Sequence, residues 1–297
     1  MSMRTAKVVK APRELAAAPI GRSQLKLNGL TVIESCTYTE GLTGELFLEH
    51  HLLLFVLKGS YTVRYGSQCY VVRENEMVLL QKAIVVEYEK HGEPGADYLL
   101  DYMMFFLHDD LIREFAKLAD LKSRPAEAVP VTVKPASERL IGYAASLKPL
   151  FREPERVDNA LVKIKLLELL FDAAAADERF LFQFAQLKRK GKRNIAEVVE
   201  ENLFNPVTLS DLAYLSGMGL STFKREFSDR FNTSPLQWIR ARRLDKAREL
   251  LLHSPMSVTD VCFATGFENV AHFSKAFKEK YGVSPSAFKQ RSRQLHA

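Results

Sequence analysis

Thr208-Leu-Ser-Asp-Leu-Ala-Tyr-Leu-Ser-Gly217-Met-Gly-Leu-Ser-Thr-Phe223-Lys-Arg-Glu-Phe227 decides the architecture of this chain, because Ser257-Val-Thr-Asp-Val-Cys-Phe-Ala-Thr-Gly266-Phe-Glu-Asn-Val-Ala-His-Phe273-Ser-Lys-Ala-Phe277 repeats its pattern. The openings Thr208-x-x-Asp211 and Ser257-x-x-Asp260, and the glycines Gly217 and Gly266, recur at an offset of 49. Phe223, Phe227, Phe231, Ser234, Pro235 and Trp238 recur at an offset of 50 as Phe273, Phe277, Tyr281, Ser284, Pro285 and Phe288. A hydroxyl with an acid three residues on is a helix N-cap signature, since each side chain satisfies a main-chain amide that the first turn leaves unbonded. Each copy therefore reads as a cap, a short helix (209–216 and 258–265), a glycine turn and a second helix (220–231 and 269–281). Glycine lets the chain turn without a Cβ clash, and the product is a helix-turn-helix. Each Ser-Pro pair opens a further helix, with serine as cap and proline at the first helical position. Residues 236–253 then form a rod of ~27 Å at 1.5 Å per residue. Such a rod suits two recognition helices entering successive major grooves, ~34 Å apart on one face of a duplex.

The charge supports a polyanion partner for this part. Residues 188–297 hold 19 Lys and Arg against 11 Asp and Glu, a surplus of +8, whereas residues 1–187 carry a net −2. The 297 residues suggest two domains. Three scattered cysteines (Cys36, Cys69, Cys262) argue against a disulfide framework and for a reducing, cytoplasmic setting. The longest apolar run, Leu52 to Leu57, is far short of the ~20 residues of a membrane span, and no signal peptide is read.

Residues 1–24 lack a sustained period and are expected to form a flexible arm. From Leu25 to about Leu107, short runs rich in Val, Leu, Tyr and Phe alternate with turn signals such as Asn28-Gly29 and Gly66-Ser67. The expectation for 25–108 is a small antiparallel β-barrel or sandwich. After Asp109 the period becomes helical. Leu111, Phe115 and Leu118 share one face; Val157, Leu161, Ile164, Leu167, Phe171 and Ala174 form a longer stripe, continued by Phe180, Leu181, Phe184 and Leu187. Region 109–187 either lids the barrel or pairs with a second subunit through Leu161, Ile164, Leu167 and Phe171. A basic linker, 188–193, precedes the tandem unit at 194–297. The fold class is α+β: a β-barrel with helices, then an all-α domain of two helix-turn-helix units joined by a long helix.

The repeated segment resembles the AraC/XylS transcription regulators. The resembling residues are Leu209-x-x-Leu-Ala213, Gly217 to Phe227, Ser234-Pro235, Arg243-Leu244-x-x-Ala247-x-x-Leu250-Leu251, Gly266-Phe267, Phe273-x-x-x-Phe277-Lys278 and Gly282-Val-Ser-Pro285. Cys262 departs from the alanine usual there. The resemblance implies an N-terminal cupin-like barrel followed by dimerisation helices. It also implies base contacts at Ser221, Lys224 and Arg225 in the first unit and at Ala271, His272 and Lys275 in the second. Periodicity agrees, because these residues lie opposite Phe223–Phe227 and Phe273–Phe277, with Val270 also facing outward. Lys and Arg donate to guanine, and small apolar groups meet the thymine methyl. Thr222, Ser228, Arg240, Arg242, Arg243, Lys246, Ser274 and Lys278 suit phosphate contacts that position without specifying. Met218 to Lys224 and Lys163 to Phe171 further resemble ExsA-type activators of type III secretion genes, which answer to partner proteins.

No catalytic or metal signature stands out. His50 and His51, adjacent in an expected strand, would point to opposite faces, and no Cys-x-x-Cys, Gly-x-Ser-x-Gly or phosphate-loop motif is present. Met103-Met-Phe-Phe106 reads as core before pocket. The expectation is a cytoplasmic, sequence-specific transcription regulator, an activator, without a cofactor or catalytic role. Its partners would be promoter DNA, RNA polymerase, a second copy of itself, and a small effector or regulatory protein. The alternatives are an architectural DNA-binding protein without signal input and a cupin-type enzyme fused to a DNA-binding domain.

Overall fold

The computed structural model describes residues 8–15, 20–93, 98–120, 129–176 and 193–295. These fall into two units, Val9 to Ala176 and Arg193 to Leu295.

Among the described residues, the first unit contains eleven strands: β1 (Val9–Ala11), β2 (Ile20–Leu27), β3 (Leu30–Tyr38), β4 (Leu42–Leu48), β5 (His51–Lys58), β6 (Ser60–Tyr65), β7 (Gln68–Arg73), β8 (Glu76–Leu80), β9 (Val85–His91), β10 (Leu100–Leu107) and β11 (Val131–Pro135). They form two sheets, in the orders β1-β4-β9-β6-β7 and β11-β8-β5-β10-β3-β2. All pairings are antiparallel except that of β1 with β4. Asn28-Gly29 makes the tight β2–β3 turn, with φ of 52° and 81° matching the two positive angles of a type I′ hairpin.

No closed barrel forms among the described residues. The reason is legible in β5 and β10, which are apolar on both faces. Leu52, Leu54, Val56, Met104 and Phe106 point into a core between the two sheets. Leu53, Phe55, Met103 and Phe105 point the other way, into a core closed by helices. A strand buried on both faces reads as an unbroken apolar run rather than an alternation. The covering helices are α1 (Asp109–Leu118), α2 (Glu138–Leu147) and α3 (Asn159–Ala176), with two short 3₁₀ turns between α2 and α3.

Several expectations change here. Residues 9–11 and 20–24 lie in strands where an arm was expected, because β1 and β2 find partners in β4 and β3. Strand β11 lies inside the stretch expected to be helical and extends the second sheet beyond β8. Leu118 is exposed, and α1 buries Leu111, Ile112, Phe115 and Ala116 instead. In α3 the buried residues are Val162, Leu166, Leu169, Leu170, Asp172, Ala173 and Ala174, so of the stripe read within this helix only Ala174 is fully buried. Phe180, Leu181, Phe184 and Leu187, and most of the basic linker, lie outside the described residues.

The second unit is all helical: α4 (Ile195–Glu201), α5 (Leu209–Leu215), α6 (Leu220–Phe231), α7 (Pro235–His253), α8 (Val258–Ala264), α9 (Val270–Tyr281) and α10 (Pro285–Leu295). Helix α4 was not anticipated, although Asn194 caps it and Ile195, Val198 and Val199 form a short apolar stripe. The other bounds agree with the repeat to within a residue or two. The second half closes on a core of Leu244, Ala247, Leu250, Leu251, Val261, Cys262, Phe273 and Phe277. Cys262 is wholly buried there, so the change from alanine packs.

Candidate nucleic-acid interface

Both reciprocal caps are formed. Thr208 Oγ1 accepts from the Asp211 amide while the Asp211 carboxylate accepts from the Thr208 amide, and Ser257 and Asp260 do the same. The hydrogen bonds from the Ser257 side chain and main chain hold the Asp260 carboxyl below the usual carboxylate range. Gly217 (φ 69°) and Gly266 (φ 80°) end the first helix of each unit in the left-handed conformation. The turns aim α6 and α9 across α5 and α8.

Each second helix is anchored by aromatic packing on one side. Phe223 and Phe227 are fully buried, and Phe227, Phe231 and Trp238 form a ring cluster with centroids 4.4–5.9 Å apart. Phe273 and Phe277 are equally buried, and Phe277 meets Tyr281 at 4.6 Å and Phe288 at 5.5 Å. Aromatic anchoring of this kind fixes the rotation of a helix about its axis. The opposite faces are then solvent-facing: Ser221, Lys224, Arg225 and Ser228 on α6, and Ala271, His272, Lys275 and Lys278 on α9. Thr222 and Ser274 are half-buried at the edges of these faces. Val270, expected to face outward, packs on the second core instead.

The rod α7 divides the remaining cations. Arg240 pairs with Glu279 at 2.6 Å and Lys246 with Glu249 at 2.7 Å, both near solvent. Exposed pairs of this kind contribute ~0–1 kcal/mol and exchange readily for a phosphate. Arg242 is exposed, with its guanidinium 5.3 Å from the Trp238 ring centroid. Arg243 differs from the expectation of a phosphate contact. Its side chain turns inward and donates to the carbonyl oxygens of Leu203, Asn205 and Gly266. The signal was present in the sequence, since Ile239, Ala247 and Leu250 at i−4, i+4 and i+7 put Arg243 beside the buried face. Lys280 and Tyr281 both reach Asp245, so α9 is also latched to the rod.

The first unit holds a second polar site that sequence reasoning missed. Lys90 on β9 is only 5% exposed and lies between the two sheets. Its Nζ is 3.7 Å from the Tyr38 ring centroid, 5.1 Å from Tyr102, 5.2 Å from Tyr88 and 6.0 Å from Tyr61. Burial pulls the ammonium pKa down to about 8, against the opposing influence of Cys36 and Glu34. Glu34 is wholly buried and takes one hydrogen bond from Arg22, while its Oε2 has no hydrogen-bond partner among the described residues. Burial raises the Glu34 pKa.

His50 lies in the bend before β5, not within a strand, and stacks on His108 at 3.8 Å, while His51 is buried and accepts from the Lys82 amide. Among the described residues, no three metal-ligating side chains converge. On α3, Leu161 (39%), Ile164 (59%) and Phe171 (39%) are exposed, while Leu167 packs partly on the helix-side core. Of the stripe read in the sequence, Leu161, Ile164 and Phe171 thus face outward, while Val157, Leu167 and Ala174 pack on the helix-side core.

The chain matches the helix-turn-helix domain family over residues 212–291 and the ExsA N-terminal regulatory domain family over residues 51–184. It is 27% identical over 236 residues to the HTH-type transcriptional regulator ExsA of Pseudomonas aeruginosa, covering 79% of this chain and 84% of that protein. It is 28% identical over 238 residues to the virulence regulon transcriptional activator VirF of Yersinia enterocolitica, covering 79% and 87%. Among solved structures it is similar to unsaturated fatty acid bound ToxT from Vibrio cholerae, with 13% identity, a TM-score of 0.41, and coverage of 87% of this chain and 94% of that one.

Proposed function

Because this chain belongs to the AraC/XylS family of transcription regulators, we propose that it activates transcription by laying α6 and α9 in successive major grooves of promoter DNA, under control of its N-terminal unit. The observation that carries this reading is the pair of outward faces. Two helices of the same make, each held by buried phenylalanines, present Lys224 and Arg225 on one and His272 and Lys275 on the other. Lys224, Arg225 and Lys275 donate to guanine edges, and Ala271 meets a thymine methyl. Ser221 and His272 complete the base-facing sets. Thr222, Ser228, Arg240, Arg242, Lys246, Ser274 and Lys278 serve the phosphates. Genome-wide occupancy followed by footprinting of the strongest site tests the reading. Protection of two major grooves one helical turn apart is expected, and protection of a single groove would overturn it.

The N-terminal unit, read as a cupin-like module, supplies dimerisation and a signal. Leu161, Ile164, Leu167 and Phe171 form the seam with a second copy of the chain. A small effector is the input favoured by the Lys90 site, where a buried ammonium is ringed by tyrosines and feels the buried Glu34 carboxylate. A protein partner is the competing input, supported by the match to the ExsA N-terminal regulatory domain. The buried ionisable cluster is what a purely architectural DNA-binding protein would lack reason to keep. The chain acts in the cytoplasm with RNA polymerase and without enzymatic activity. Among the described residues, no helix is long and apolar enough to cross a membrane.

A further inference from the structure

Arg243 lies midway along α7, the rod between the two helix-turn-helix units. All three guanidinium nitrogens are spent on main-chain carbonyls: Nε on Leu203 at 2.7 Å, Nη2 on Asn205 at 2.8 Å and Nη1 on Gly266 at 2.6 Å. Leu203 and Asn205 lie between α4 and α5, on the entry to the first unit, whereas Gly266 is the turn residue of the second. One side chain therefore fastens both units to the rod. A planar fork of donors makes these bonds together, and an ammonium on a flexible stem does not. Burial lowers the pKa to about 10, opposed by Glu268, so the group still carries its charge at neutral pH. Gly266 completes the arrangement. Its φ is +80°, and a Cβ there would stand 2.9 Å from Arg243 Cζ and 3.0 Å from the Phe204 carbonyl oxygen.

Resting on the two-groove reading above, we infer that Arg243 is a positioning residue that fixes the rotation and separation of α6 relative to α9, and so sets the half-site spacing the protein accepts. One inserted base pair moves a half-site by ~3.4 Å and turns it by ~34° about the duplex axis. A rigid pair of helices rejects that displacement, and a loosened pair follows it. The role is distinct from a phosphate contact, whose loss weakens binding at every spacing alike.

The test is selection of duplexes from a random pool by the full chain, the Arg243→Lys variant and an Arg242→Ala control, with melting temperatures measured for each. Arg243→Lys keeps a cation and a donor but not the fork. The unaltered chain is expected to enrich two half-sites at one spacing and to prefer it roughly tenfold over a duplex lengthened by one base pair. Arg243→Lys should enrich the same half-sites over a spread of spacings, with that preference reduced to about twofold or less. Arg242→Ala should keep the single spacing while binding more weakly. Gly266→Ala, which presses on the guanidinium without altering charge, should broaden the spacing as Arg243→Lys does, and it stands in if the lysine variant fails to fold. A single sharp spacing retained by both variants would overturn the inference while leaving the regulator reading intact. Enrichment of only one half-site by the unaltered chain would overturn both.

Discussion

Arg225 and Lys275 stand in solvent on faces opposite fully buried phenylalanines. Replacing either by alanine should cost ~1–3 kcal/mol on the cognate duplex, relax preference at one base position and barely change binding to scrambled DNA. Binding measured on both duplexes checks this, and equal losses on the two would mean that the wrong face of the helix has been put in the groove. Lys90 makes a different prediction. Its pKa in the folded protein, about 8, lies below the ~10.4 of an unfolded chain, so between these values the unfolded state binds more protons. The cost of burying the charge is therefore complete below pH 8 and fades as pH rises toward 10.5. Cation–π attraction from the rings offsets part of it. Lys90→Met should accordingly gain on the unaltered chain at pH 7 and lose that advantage by pH 10, a swing on the order of 2 kcal/mol in denaturant melts. A gap between the two proteins that does not move with pH would show that the Lys90 pKa is the same in the folded and unfolded states.

Helix α3 shows how one element serves two surfaces. Val162, Leu166 and Leu169 fill the core beneath the second sheet, while Leu161, Ile164 and Phe171 reach solvent. Ile164→Asp should thus leave the first unit folded and, if the outward face is the dimer seam, yield a monomer with weaker promoter occupancy. Leu166→Asp buries a carboxylate in an apolar core and should unfold the unit. Sedimentation and circular dichroism on the two variants separate these outcomes; a folded Ile164→Asp dimer would remove the seam from α3. On α7, Arg242 is exposed where Arg243 is turned inward, and the proposed reading gives the phosphate contact to Arg242. Arg242→Ala should weaken cognate and random DNA alike and lower the salt slope by about one.

Each unit has its own core, which makes the molecule divisible. The β-unit closes two cores around its second sheet, and the helical unit closes a separate one around α7, α8 and α9. Residues 188–297, with a surplus of +8, should fold alone and bind promoter DNA with an affinity that falls steeply with salt, because each lysine or arginine displaces counterions from phosphate. Circular dichroism and titrations at two salt concentrations test this, and salt-independent binding by the fragment would count against a basic groove-binding surface. In the full chain, an effector acting through the first unit should change promoter affinity without changing the half-site sequences.

The tandem helix-turn-helix was readable before any coordinates, because its signals are local. Caps at Thr208 and Ser257, turns at Gly217 and Gly266 and phenylalanines at helical spacing depend only on neighbours within a few residues, and they repeat. The outward residues Lys224, Arg225, His272 and Lys275 followed from the same periodicity. What the tertiary structure alone decided involves partners distant in the chain. Whether strands close into a barrel or stack as two sheets depends on which faces the helices cover, and β5 carries apolar residues toward both. The outward rotation of Ile164 follows from how α3 seats on its neighbours, a choice of about one residue in phase that an apolar helix leaves open. Arg243 finds its acceptors 23 to 40 residues away and Lys90 its rings across two sheets, so helical spacing places Arg243 beside the buried face without naming its acceptors, and the Lys90 site has no local signature. Local hydrogen bonding and periodicity are written in the sequence, whereas the enclosure of a charge is a property of the packed fold.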